Sequence, residues 1–235
     1  LHRGLREWAE ANPQAAIIRR DQEFKVQRRG FDRMPSHEWV DELSSLLSGA
    51  NYNHPFIEAA REMVPYFRRI VGHYELATKW ANRNQGDYLQ LCQGDISPIN
   101  VALMSSRSGG RPQVVILDFD KAGVMDVRAE VGTALIETVR QATRNNCRVH
   151  LHTSCELLRF YQNEAKGYDI NLNVAVGLGL SAHFAYGMLN AQRFVGNMNK
   201  NGGQIPDLHA TPHYLHHVYG VREACEFVES ISNLA

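Results

Sequence analysis

The chain has little of what would mark it as a member of a specialised class of protein. Lys and Arg together number 25 of the 235 residues, as do Asp and Glu, so the formal net charge is zero. This balance lacks the overall positive charge expected of a nucleic-acid-binding protein. No run of about 18 apolar residues occurs, so we predict no membrane-spanning helix. The opening residues do not have the pattern of a signal peptide, and we expect a cytoplasmic protein.

Cysteine is also scarce. The four cysteines are Cys92, Cys147, Cys155 and Cys225, and none of them forms a C-x-x-C pair or has metal-ligand spacing. Four cysteines in a chain of this length do not indicate a disulfide scaffold. We therefore predict buried free thiols in a reducing compartment.

What the sequence does have is helical periodicity over most of its length. Ser36 is a predicted N-cap for a helix with Trp39 and Leu43 on its apolar face. A long helix from about residue 55 to 82 is expected to kink at Pro65. Further helices are predicted over residues 1–12, 126–145 (with Val131, Leu135, Ile136 and Val139 inward), 154–165 (capped by Ser154), 171–198 and up to about 232.

Three short apolar runs interrupt the helices and predict a small β segment. They cover residues 88–93, 101–104 and 114–117, and a turn cluster rich in Gly, Ser and Pro separates the last two. These two runs predict a hairpin, and the β-branched run 114–117, apolar on both faces, predicts a buried strand. The predicted fold class is therefore α+β and mostly α.

Polar residues stand at the ends of these apolar runs. Asp95 and Asn100 flank the loop between the first two runs, and Asp118 and Asp120 follow the third. A hairpin can bring the loop before its first strand next to the end of its second strand. Hard oxygen ligands of this kind suit Mg²⁺, and a carboxylate not used on the metal can accept a proton. An Asp at a strand end is also a common turn residue, but the combined spacing favours a site.

Two motifs make this pattern more specific. QGDISPIN followed by ILDFDKAGVMD resembles the paired motifs of the aminoglycoside phosphotransferase and choline kinase group, which are kinase-fold enzymes acting on small molecules. The first motif of that group is usually H-G-D-x-x-x-x-N, and the second is I-D-F-D or I-D-x-E. The order of parts matches the general template for phosphoryl transfer.

The resemblance implies a role for each matched residue. Asp95 would be the catalytic base or the group that orients the hydroxyl. Asn100 and Asp118 would hold Mg²⁺ against the phosphates of ATP. Asp120 would assist at the metal or hold its loop.

Three further positions belong to the same resemblance. Asp126 and Glu130 would anchor the helix that follows the metal loop. Position 93 departs from the family, because Gln93 stands where the family usually has His. That His is mainly a packing and hydrogen-bonding support, and Gln can make similar hydrogen bonds, so activity is expected to survive.

The resemblance covers the carboxy-terminal lobe of a kinase-like fold, with residues 1–235 as one catalytic lobe. No Gly-rich phosphate loop, strand Lys or partner Glu precedes it, and these parts belong to an amino-terminal lobe. We expect that Leu1 lies part-way into a longer protein. The 235 residues alone are expected to be inactive.

The expected function is an ATP- and Mg²⁺-dependent phosphotransferase acting on a small-molecule alcohol. Candidate substrates are an aminoglycoside, choline or ethanolamine, homoserine, or another sugar or amino alcohol. No nucleic acid or membrane partner is expected, and the sequence carries no indication of oligomeric state. The alternative is a non-catalytic kinase-like domain that binds a nucleotide or a protein partner.

Other patterns have simpler interpretations. Gly177-x-Gly179 lacks the strand and the third Gly of a dinucleotide loop, so close helix packing is expected. His213 and His217 are spaced for one helix face, and a solvated or interface face is favoured over a metal site.

The acidic spacing of Glu223, Glu226 and Glu229 predicts a solvated helix face. In the family that the motifs resemble, acidic residues in the last helices can hold cationic substrates, and this remains the alternative.

Overall fold

A computed structural model describes residues 1–12, 34–50, 53–84, 88–96, 100–104, 113–119, 122–144, 151–165, 169–202 and 211–232. The helices are α1 (His2–Ala11), α2 (His37–Gly49), α3 (Pro55–Ala81), α4 (Val127–Arg144), α5 (Leu151–Ala165), α6 (Leu172–Lys200) and α7 (Thr211–Ser232). The strands are β1 (Leu89–Cys92), β2 (Val101–Met104), β3 (Gln113–Ile116) and β4 (Gly123–Asp126). The expectation of a mostly helical α+β chain is confirmed.

Local capping explains where α2 and α3 begin. The Ser36 hydroxyl accepts a hydrogen bond from the Trp39 backbone N–H at 3.3 Å, as the sequence predicts. In α3 the cap is His54, whose Nδ1 accepts from the Phe56 N–H at 3.1 Å. α3 remains helical through Pro65 and ends at Ala81.

The core forms around α6, which packs against α2, α3, α4 and α7. Phe184 of α6 contacts Trp39 of α2 and Phe67 of α3 edge to face, with ring centroids 5.5 Å apart in each pair. By length and composition α6 could cross a membrane, but 61% of its most apolar stretch is buried inside the protein. That burial is typical of a core helix.

Glycines allow α6 to approach its neighbours closely. A Cβ added at Gly179 would overlap the backbone of Gly132 in α4, and one added at Gly132 would overlap the carbonyl of Ala175. A Cβ at Gly177 would lie 2.6 Å from the Cβ of Ala77 in α3. The predicted packing role of Gly177 and Gly179 is therefore confirmed.

Four short strands form two antiparallel pairs. β2 and β3 make the predicted hairpin, with Val101 opposite Ile116 and Met104 opposite Gln113. β1 pairs with β4, with Leu89 opposite Asp126 and Cys92 opposite Gly123. The sequence did not predict β4, and this antiparallel pairing brings the start of α4 next to the start of β1.

Two sequence expectations are wrong. The strand β3 is not buried: Val114 is 63% exposed, and Leu103 on the paired strand β2 is 73% exposed. Helix α5 begins at Leu151, so Ser154 lies inside its first turns and is not its N-cap. In α4, Val131, Leu135 and Ile136 are buried as expected, whereas the side chain of Val139 lies outside the described residues.

Candidate functional site

Gln93 connects the loop after β1 to the loop after β3. Its side chain is fully buried. Its Oε1 accepts a hydrogen bond from the Asp95 backbone N–H at 2.7 Å. Its Nε2 donates to the backbone carbonyls of Leu117, at 3.1 Å, and Asp118. A neutral amide suits this position because it offers an acceptor at one end and a donor at the other.

Asn100 fixes the same loop from its other end. Its buried side chain donates from Nδ2 to the Asp95 carbonyl at 2.8 Å. Its backbone carbonyl accepts from the Leu117 N–H at 2.8 Å, which extends the hairpin by one hydrogen bond. With Nδ2 used in this way, Oδ1 is the side-chain atom that could bind a metal. Asp95, Asn100 and Asp118 therefore belong to one hydrogen-bonded cluster.

Asp118 adopts an unusual backbone conformation. Its φ is 55°, in the left-handed region, where Asp is one of the few residue types that occurs with any frequency. Asp118 is exposed and lies two residues beyond the end of β3. Such conformations persist only where the surroundings impose them, and they concentrate at functional sites. Here the hydrogen bond from Gln93 to the Asp118 carbonyl supplies part of that constraint.

A second layer of contacts holds the turn before Asp95. Glu130, in the first turn of α4, is buried, and its Oε1 accepts from the Gly94 N–H at 2.6 Å. Gly94 itself has a φ of 85°, which a residue without a side chain adopts without strain. This contact ties the turn to α4 and agrees with the anchoring role expected of Glu130.

Asp126 anchors the start of α4 through Arg128. The Asp126 carboxylate accepts from the Arg128 backbone N–H at 2.9 Å and from its guanidinium at 2.6 Å. The same guanidinium donates to the Ala81 carbonyl at 3.1 Å and lies 3.9 Å from the Tyr88 ring centroid. The sequence analysis does not identify Arg128 as part of this contact, although its position two residues after Asp126 is compatible with such a local hydrogen bond.

Cys92 lies beneath the cluster but is not suited to nucleophilic chemistry. Burial, together with the neighbouring Glu130 carboxylate, raises the pKa of the Cys92 thiol well above its usual value. The thiol therefore stays protonated at neutral pH, and the thiolate is the nucleophilic form. The site's chemistry accordingly depends on its oxygen-bearing side chains.

A cavity of about 300 Å³ adjoins the loop that carries Asp95. Ile96, the residue after Asp95, lines it, as do Ile116 of β3 and Glu130 of α4. The rest of the lining comes from α4, α5 and Leu1 and is mostly apolar. This volume is at the lower end of the range of small-molecule sites.

Not every predicted residue joins the cluster. Asp120 lies outside the described residues, as do the side chains of His213 and His217.

The solvated face predicted for α7 is confirmed at Glu226, which is exposed, whereas Glu223 and Glu229 are half-buried and form ion pairs. Glu223 pairs with Arg140 at 3.5 Å, and Glu229 pairs with Arg69 at 3.1 Å. These ion pairs connect α7 to α4 and α3.

Comparison of the chain with family models, with curated proteins and with solved structures yields no match.

Proposed function

We propose that the protein is a kinase-like phosphotransferase that uses ATP and Mg²⁺ to phosphorylate a hydroxyl of a small molecule. The observation that carries the proposal is the bridging by Gln93 and Asn100. Their side chains bind the backbone on both sides of Asp95 and the backbone of Asp118. Two motifs that are separate in the sequence are thus joined by hydrogen bonds, and this supports the proposal.

The donor set fits Mg²⁺. Asn100 contributes an amide oxygen whose amide nitrogen is already used, and Asp118 contributes a carboxylate on an exposed strand end. Mg²⁺ in phosphate-transferring sites is typically held by one or two such oxygen ligands together with substrate phosphates. When bound, the ion neutralises charge on the phosphates, while Asn100 and Asp118 hold it in place.

Asp95 is the residue that we propose binds the acceptor hydroxyl. Its backbone N–H and C=O are both fixed, the first by Gln93 and the second by Asn100. A carboxylate on so constrained a backbone can orient an alcohol and accept its proton. Most of the rate gain then comes from positioning, as is usual for phosphoryl transfer.

The acceptor is expected to be small. The cavity beside Ile96 has a volume of about 300 Å³ and lies next to Asp95 in the chain. It supports a small-molecule alcohol in preference to a protein acceptor. Aminoglycosides, choline, ethanolamine, homoserine and other sugars or amino alcohols are the compounds to test.

A second candidate function is a non-catalytic kinase-like domain that binds a nucleotide or a protein partner. The exposed apolar side chains of the hairpin favour it, among them Leu103, Met104 and Val114. Exposed apolar groups clustered in this way commonly mark a binding surface.

Label transfer from γ-labelled ATP distinguishes the two candidates. The complete gene product is incubated with Mg²⁺ and the panel of alcohols, beside Asp95→Asn, a variant of nearly the same size. Phosphorylated product from the parent but not from Asp95→Asn supports the enzyme. Nucleotide binding without product from any alcohol supports the non-catalytic candidate.

A further inference from the structure

Three donor side chains from two helices meet on a part of the molecule that shares no residue with the Asp95 cluster. His73 lies on α3, and Cys225 and Glu229 lie one turn apart on α7. The Glu229 Oε1 atom is 3.4 Å from the Cys225 Sγ and 3.7 Å from the His73 Nε2. All three donor atoms lie within 4.8 Å of one another.

We propose that His73, Cys225 and Glu229 form a binding site for a transition-metal ion of the Zn²⁺ type. Zn²⁺ bonds of about 2.0–2.3 Å in tetrahedral geometry separate neighbouring ligand atoms by about 3.3–3.5 Å. The separations from Glu229 are already within a few tenths of an ångström of these values. A nitrogen, a sulfur and an oxygen donor suit Zn²⁺, whereas Mg²⁺ prefers oxygen alone.

Burial and second-layer contacts also fit a metal site. Cys225 is fully buried, while the side chains of His73 and Glu229 are 25% and 28% exposed, which gives an ion a route from solvent. Arg69 donates to the other carboxylate oxygen of Glu229 at 3.1 Å. That hydrogen bond orients the carboxylate and leaves Oε1 towards the sulfur and nitrogen. A water molecule would complete four-coordination.

Metal binding must displace one proton. Burial and the nearby Glu229 carboxylate raise the pKa of the Cys225 thiol to about 12, so the metal-free thiol is protonated at neutral pH. On binding, the S–H bond breaks, the proton passes to water and the sulfur bonds the ion as a thiolate. Because binding releases this proton, affinity rises with pH.

The site would join α3 to α7, two helices that already pack against each other. An ion that binds the folded chain and not the unfolded one stabilises the fold by mass action. The role proposed for the metal is therefore structural, and it stands whether or not the protein transfers phosphate.

Co²⁺ is the probe of choice for the experiment, since a thiolate bound to Co²⁺ produces a charge-transfer absorption that oxygen and nitrogen ligands do not. The 235-residue chain is titrated with Co²⁺, and bound Co²⁺ is then displaced with Zn²⁺. We expect one ion per chain, a thiolate band, and an unfolding midpoint that rises with Zn²⁺ but not with Mg²⁺.

Matched variants assign the ligands. Cys225→Ala should remove the thiolate band. His73→Gln and Glu229→Gln should each weaken Co²⁺ binding by more than roughly 10- to 100-fold, which is the usual effect of losing a residue that only hydrogen-bonds a metal ligand. Their controls are His37→Gln, at the exposed start of α2, and Glu226→Gln, exposed on α7, which leave the affinity unchanged. His73 and Glu229 are half-buried, so His73→Gln and Glu229→Gln should fold, and circular dichroism checks this.

Three results would overturn the proposal. The first is the absence of a thiolate band with the parent chain. The second is a band that persists in Cys225→Ala, because the sulfur would then be another cysteine. The third is an affinity that does not change in folded His73→Gln and Glu229→Gln.

Discussion

At the scale of single residues, Gln93 is the position on which the site's geometry depends most. It is buried, and it binds the backbone of two loops through opposite ends of one amide. The sequence motif places Asp95, Asn100 and Asp118 correctly relative to the strands. The motif implies a hydrogen-bonding support at position 93 but does not reveal its partners, because these contacts join residues 24 and 25 positions apart.

Substitutions of Gln93 should show separately what its donor, Nε2, and its acceptor, Oε1, contribute to stability. Gln93→Glu keeps the acceptor for the Asp95 N–H but replaces the donor with a carboxylate facing two carbonyls. We expect a loss of about 1–3 kcal/mol in the free energy of unfolding, the usual cost of unsatisfied buried polar groups. Gln93→His can donate and accept at once and should be tolerated. Urea denaturation of the three proteins checks this, and a Gln93→Glu variant as stable as the parent would refute the bridging role.

His54 should give part of the protein's stability a dependence on pH. Its Nδ1 caps α3 as an acceptor, and burial lowers the pKa of the ring below its usual 6.5. The unfolded chain then binds the proton more readily than the folded one. The stability that His54 contributes is fully present above about pH 6.5, and it is lost as the pH falls through the lowered pKa of the folded chain.

His54→Asn provides the test, because Asn also caps helices but does not titrate in this range. Free energies of unfolding at a series of pH values from 7.5 to about 5 should fall less steeply for His54→Asn than for the parent. Parallel curves for the two proteins would show that His54 does not contribute.

At the scale of secondary-structure elements, the backbones of α4 and α6 lie in close contact where the two helices cross at Gly132. A substitution at this position tests the contact. Gly132→Ala would place a methyl group into the Ala175 carbonyl, so the helices must separate. Overpacking of this kind costs about 1–3 kcal/mol or more. Chemical denaturation measures the loss directly.

Gly72→Ala is the matched control for that substitution. Gly72 lies inside α3, and a Cβ there meets nothing within 4 Å. Replacing an open helical Gly with Ala should stabilise the protein by about 0.5–1 kcal/mol. Equal effects of the two substitutions would contradict the proposed close crossing.

The helices could be predicted from the sequence because their apolar faces repeat locally, as in α2 with Trp39 and Leu43. β4 could not, because GVMD is four residues long and forms only by pairing with β1, more than 30 positions earlier. The exposure of the hairpin could not be predicted either. A β-branched run has the same appearance whether another layer covers it or not.

At the scale of the whole molecule, this exposure distinguishes the hairpin from the helical core. Leu103→Ala should change the free energy of unfolding by less than about 0.5 kcal/mol, as for other exposed positions. Leu43→Ala, the same substitution in the fully buried face of α2, should cost about 2–5 kcal/mol. Thermal and urea unfolding of both variants check the contrast. A large loss in Leu103→Ala would mean that the hairpin is covered.

We propose that Asp95 binds the hydroxyl acceptor and that Asp118 binds the metal. The most direct measurement is a Mg²⁺–ATP titration of Asp95→Ala and Asp118→Ala in the complete gene product, with turnover measured on the same samples. Asp118→Ala should lose Mg²⁺–ATP affinity and turnover together. Asp95→Ala should bind Mg²⁺–ATP nearly as the parent does, while turnover falls about 100-fold or more, as for loss of a general base. Near-parental turnover in Asp95→Ala, or unchanged Mg²⁺–ATP affinity in Asp118→Ala, would contradict this division of roles.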